Sequence, residues 1–193
     1  MTGDLHSADI PADAMLFGDS LDCSLVLPVQ VVASRAPGRQ AQAVTLLHGL
    51  AQIEDLRKDE GASEEYGDLP LLAQRMDAKL DLILALVGRL AAHADSLPER
   101  PLRWSAAGLR VDLQDVQDVQ DFTAGTSVLV RLQPVEWLPD HLELPARVLA
   151  RRSFEGGVRL WLAFVGLRPE LVEALDRHLF RLHRRAVAEQ RRR

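Results

Sequence analysis

Apolar residues recur every three or four positions from Leu69 to Ala94, with Leu69, Met76, Ile83 and Leu90 in one row and Ala73, Leu80, Val87 and Ala94 in the next. This 3.5-residue period predicts a long helix with a coiled-coil seam, the two rows taking the d and a positions. At roughly 1.5 Å per residue the helix would reach about 39 Å. That is too long to hide against one small sheet, so the seam is expected to meet copies of itself. Leu80 at a beside Ile83 at d is the branching order of assemblies with more than two strands, and Leu72, Leu84 and Leu86 at flanking positions widen the stripe. A trimer or tetramer is the expectation. The competing reading is an amphipathic helix lying on its own sheet.

Before this seam, Cys23 to Ala33 (CSLVLPVQVVA) reads as one strand, interrupted by Pro28, which suits an edge or a bulge. A turn-like SRAPGR follows, then a helix from Ala41 to Leu56 with Val44, Leu47, Ala51 and Leu56 on one face, then an acidic loop from Asp59 to Asp68. Ser96, Leu97 and Pro98 end the seam helix, because the residue before proline is pushed out of helical geometry. From Leu102 the period becomes strand-like: Leu102–Val111, Ser127–Leu132, Ala146–Arg151 and Val158–Val165 are short branched or aromatic runs between turns. Val128, Val130 and Leu132 share one face, and Leu160, Leu162 and Phe164 another, while Gly156 and Gly157 mark a hairpin. Short, evenly spaced antiparallel strands predict a barrel or sandwich. Pro169 opens a terminal helix whose Leu171, Leu175, Leu179, Leu182 and Ala186 would close the barrel mouth. The QDVQDVQD repeat from Gln114 to Asp121 is too brief to be an architecture.

Composition narrows the function. At 193 residues with 47% hydrophobic and 26% charged, the chain can bury a core. A net charge of −5 argues against a general nucleic-acid coat. Charge is uneven, since residues from Arg168 onward carry a local +4 on a body of −9. That basic helix reads either as a surface for phosphate or an acidic partner, or as cations suited to the helix's own macrodipole. DNA is not an expected partner, because the body is acidic and the helix must bury its apolar face. The lone Cys23 allows no disulfide framework. No apolar run approaches the roughly 20 residues of a membrane span, and the acidic first residues are no secretory signal. A cytoplasmic location and a loose tail over residues 1–20 are expected.

The succession of a strand, a strand bearing RWSAAG (Arg103 to Gly108), GTSVLVRL, LPARVLARR with a GG hairpin, and an amphipathic helix resembles the PilZ domain, a small β-barrel family whose usual role is binding cyclic di-GMP. It is most similar to the atypical branch, in which a helical segment separates the first strand from the rest. The resemblance runs from about Leu21 onward and implies an α+β fold: a small antiparallel PilZ-like β-barrel with a C-terminal helix and an inserted long coiled-coil helix. Residues 21–38 and 101–193 would form the barrel with its terminal helix, and 39–97 the oligomerisation insert.

The family's signatures are an RxxxR before the first strand and a DxSxxG on the next. Arginines offer planar bidentate donors to phosphate and to guanine, and glycine lets a ligand approach the backbone. Ser105 and Gly108 stand in register, but Arg103 occupies the position of the aspartate. Guanine recognition by that acid is therefore lost. Arg35 and Arg39 have RxxxR spacing but follow the first strand, in a turn where both could meet one anion. Arg147 and Arg151, a second such pair, would share a strand face by period 2, reading as an anion platform with Arg103 if that face is outward or as an exposed basic face without a role, while Arg152 faces the opposite way. Trp104 reads as core, or as a purine-stacking ring.

Enzyme chemistry finds no frame. His178 and His183 are five apart on a helix and share no face, and the other histidines lack metal-ligand spacing. Asp19 and Asp22 sit in no acid–base arrangement, WSAAG is not a nucleophile elbow, and phosphate-loop motifs are absent. No catalytic residue, metal or cofactor is expected. Two readings stay open: a non-enzymatic cyclic di-GMP receptor that signals through an oligomeric stem, and an oligomeric adaptor that no longer binds the nucleotide and presents its barrels to an unidentified protein partner.

Overall fold

A computed structural model describes residues 9–59, 76, 79–80, 83, 97–114, 122–135, 138 and 140–191. The elements are α1 (Asp9–Phe17), β1 (Asp22–Ala33), α2 (Gln40–Asp59), β2 (Glu99–Ser105), β3 (Gly108–Leu113), β4 (Ser127–Leu132), β5 (Leu142–Phe154), β6 (Gly157–Phe164) and α3 (Pro169–Gln190). The strands close into an antiparallel barrel in the order β1-β2-β3-β6-β5-β4. Closure decides between the expected barrel and sandwich, and leaves no open edge.

Strand β1 closes the barrel by changing partners midway. Residues Asp22 to Pro28 pair with β2 and Val29 to Ala33 pair with β4. Pro28 marks the changeover, where a residue without an N–H interrupts no continuous ladder, so the edge expected of it does not arise. The run Leu102–Val111, read as one strand, is two: Ala106 and Ala107 turn the chain back between β2 and β3. Strand β5 extends beyond the predicted Ala146–Arg151 in both directions, and Gly156, at φ 86°, makes the β5–β6 hairpin turn.

Inward side chains of all six strands fill the barrel, among them Val29, Trp104, Val111, Val130, Leu144 and Leu160, all fully buried. Leu171, Leu175 and Leu179 of α3 join this core, as the apolar stripe predicted, whereas Ala186 lies beyond it and is exposed. The face of α2 is rotated from the expected one. Ala43, Leu47 and Leu50 are buried with the barrel core, Val44 and Ala51 are half-buried, and the Leu56 side chain lies outside the described residues. Packing against α3 selects that face. Helix α2 is thus part of the barrel body, which corrects its assignment to the oligomerisation insert.

Two further expectations concern the ends of the chain's pattern. The loose tail over residues 1–20 is overturned for 9–17, because Ala12, Leu16 and Phe17 of α1 bury themselves on Trp161. Of the seam, Met76, Leu80 and Ile83 are helical and 58%, 53% and 53% exposed, so these three do not lie on their own barrel. Leu69, Val87 and Leu90, the acidic run 60–68 and the repeat at 115–121 lie outside the described residues. No helix among the described residues is long and apolar enough to cross a membrane.

Candidate ligand-binding face

Alternation along β2, β3 and β6 sends Arg103, Arg110 and Trp161 to the outside of the barrel, and the register sets them in a row. Arg103 is opposite Arg110, and Arg110 is opposite Trp161. The tight β2–β3 turn causes this: with Ser105 and Gly108 flanking two turn residues, positions 103 and 110 must face each other. Arg103 is held by Asp22 through bonds of 2.6 and 3.0 Å, and its guanidinium lies 4.2 Å from the centre of the Phe17 ring. The hydrogen bond from Arg103 to Asp22 raises its pKa further, so it stays charged. Arg110 donates to Asp13 of α1 at 3.1 Å, and the Trp161 indole N–H donates to the same carboxylate at 2.7 Å. Beside the arginines runs a groove of about 360 Å³, lined by Ser24, Val26, Pro101 and Asp112 among others.

The signature positions Ser105 and Gly108 lie beneath this row. Ser105 is buried; its hydroxyl donates to the Leu16 carbonyl at 2.6 Å and accepts from the Ala107 N–H at 3.2 Å. A Cβ on Gly108 would lie 2.1 Å from the Leu162 carbonyl oxygen and 2.8 Å from Leu16 Cδ2, so glycine is required by close packing. Both residues face the chain's own α1. Trp104 points inward, fully buried with its ring 5.7 Å from that of His178, which makes it core and removes it from ligand stacking.

The other predicted arginines lie elsewhere. Arg35 is exposed after β1, and Arg39 donates to Glu143 at 3.1 Å, beside His141 and Arg131. Burial works to raise the Glu143 carboxyl, but Arg39, His141 and Arg131 prevail and hold it below its ordinary value. His141 is pushed down by burial and by Arg39. This cluster is level with Gln30, which pairs with Arg131 and lies eight residues along β1 from Asp22, a contour of about 26 Å at about 3.3 Å per residue. Arg35 and Arg39 therefore form no site with Arg103. Nor do Arg147 and Arg151. A bulge between Val148 and Ala150 resets the parity of β5, so Arg147 pairs with outward Ala163 but Arg151 pairs with inward Leu160. Arg152, expected on the other side, faces Arg159 across the outer surface.

Sequence reasoning missed Arg110, Trp161, Asp13 and Phe17. The first was recoverable from the turn length, but the α1 residues carry no signal along the chain of where they land. Among the described residues no group of three or more His, Cys, Asp or Glu side chains is placed to hold a metal.

Residues 47–192 match the family described as atypical PilZ domain, cyclic di-GMP receptor. The chain belongs to the atypical PilZ domain family. Among solved structures it is similar to a Xanthomonas campestris protein with a tetrameric PilZ domain self-assembled via a helical bundle, at 48% identity and TM-score 0.76, covering 95% of this chain and 99% of that one. It is also similar to the Bacillus subtilis inhibitor of motility MotI/DgrA, at 15% identity and TM-score 0.43, over 86% of this chain and 50% of that one. The PilZ domain of Escherichia coli YcgR with cyclic di-GMP matches at 16% identity and TM-score 0.40, over 51% and 81%. No curated protein matches.

Proposed function

We propose that the chain is a non-enzymatic, cytoplasmic signalling adaptor that assembles through its exposed helical segment and takes cyclic di-GMP on the outer face of β2 and β3 as its input. The observation that carries the reading is the pair of guanidinium groups, Arg103 and Arg110, standing opposite one another beside an open groove. Two planar donors at neighbouring positions suit a dinucleotide with two phosphates and two guanines. Assembly is supported by Met76, Leu80 and Ile83, spaced i, i+4, i+7 on a helix and each more than half exposed. The partner for that stripe is a second copy of the chain, and the Xanthomonas campestris relative, self-assembled into a tetramer via a helical bundle, favours four copies.

A second reading, an oligomeric adaptor that has lost the nucleotide, is favoured by the engagement of Arg103, Ser105 and Gly108 with Asp22, Leu16 and Leu162. Calorimetry separates the two. Titration with cyclic di-GMP should give heat that Arg103→Ala with Arg110→Ala removes and that Arg35→Ala with Arg39→Ala leaves in place. No heat, from the wild type or from a variant with α1 loosened, leaves the second reading.

A further inference from the structure

Helix α1 is attached to the barrel in an unusual way. The barrel core forms one large cluster, whereas Ala12, Leu16 and Phe17 pack with Trp161 in a separate small one on the outer surface. Lifting α1 would expose this cluster and leave the barrel core closed. The helix spans only nine residues, too few to persist once detached. Its hold on the surface is that small apolar cluster together with a short set of directed contacts: Asp13 accepting from Arg110 and Trp161, the Leu16 carbonyl accepting from Ser105, and Phe17 lying on Arg103.

Those contacts describe a ligand. A carboxylate takes one guanidinium and an indole N–H, and a flat aromatic ring lies on the other guanidinium. Phosphate and a planar base would make the same interactions with the same three side chains, and phosphate would make the first more strongly. We infer that the Arg103–Arg110–Trp161 row is a site for a phosphate-bearing purine and that α1 is its intramolecular occupant, with Asp13 standing in the place of a phosphate and Phe17 in that of a base. The inference rests on the receptor reading and adds its control. Ligand must displace α1, so apparent affinity is lowered by the fraction of molecules in which α1 is closed. Displacement also frees the segment preceding β1, the strand that joins the two sides of the barrel.

The test uses the full-length chain, titrated by calorimetry with cyclic di-GMP, with GMP and inorganic phosphate as comparison probes. Asp13→Ala with Phe17→Ala should tighten cyclic di-GMP binding at least tenfold over wild type, and adding Arg110→Ala should abolish the gain. Hydrogen–deuterium exchange supplies a readout on the unaltered protein: amides of residues 11–17 should exchange faster as cyclic di-GMP is added. Equal binding by wild type and the loosened variant overturns the occupant role of α1 while leaving the receptor. So does binding without any rise in exchange at 11–17. No binding by either protein overturns the receptor reading and this inference with it.

Discussion

His178 lies on the buried side of α3, where its ring faces Trp104 and its Nε2 lies 3.3 Å from the Pro134 carbonyl. Burial above all, with Arg181 and Arg185 nearby, pushes its pKa from 6.5 down to about 4, against the opposing pull of the Pro134 carbonyl. The fold therefore holds the neutral ring, and the unfolded chain takes up the proton first. Its contribution is fully present above pH 6.5 and is lost as the pH falls toward 4. Urea unfolding should show roughly 2–3 kcal/mol lost between pH 7.5 and 4.5 through this residue alone. His178→Phe, compared with wild type at both pH values, should remove that increment; an unchanged slope would place the sensitivity elsewhere. From the sequence His178 was legible only as a non-ligand, since spacing excludes a shared metal face but says nothing about depth. Ser105 and Gly108 were legible as a pair in register. What they touch was not, because Leu16 arrives from a segment nearly ninety positions earlier.

At the scale of elements, the joint between α2 and α3 stands out. Glu54, its side chain 3% exposed, meets Arg181 at 3.0 Å and Arg185 at 2.8 Å, and these pairs fix the rotation of α2 on α3. Glu54→Gln leaves Arg181 largely buried without its charge, while Arg185, about half exposed, regains water. The cost is about 2 kcal/mol, below the full value for a buried pair because of that exposure. A lowered denaturation midpoint at constant m-value checks it. Apolar periodicity alone put Val44, Leu47, Ala51 and Leu56 on the α2 face. The carboxylate at Glu54 was the missing term, for a buried acid reads as surface until its cationic partners are known. In β5, period 2 failed for Arg151 because a bulge adds one residue, and a bulge at Leu149 leaves no mark in a run of branched and small side chains.

For the molecule as a whole, Met76, Leu80 and Ile83 form an exposed helical stripe that a second copy is proposed to cover. Ile83→Asp should reduce the sedimentation mass from that of an assembly to that of one chain, since burying an unpaired carboxylate in the seam costs several kcal/mol. An unchanged mass would show that these residues are not the interface. The hydrophobic rhythm of the chain determined by itself that there would be short strands and a terminal amphipathic helix, because period and turn chemistry are local properties. The order of those elements, with the RWSAAG segment, added the family resemblance. Only the tertiary structure decided that β1 divides its pairing to close the barrel, and that Arg103, Arg110 and Trp161 stand in one row. It alone brought α1 onto that row, with its Asp13 and Phe17. Register across strands and the docking of a remote helix depend on contacts between distant positions, and no local period encodes them.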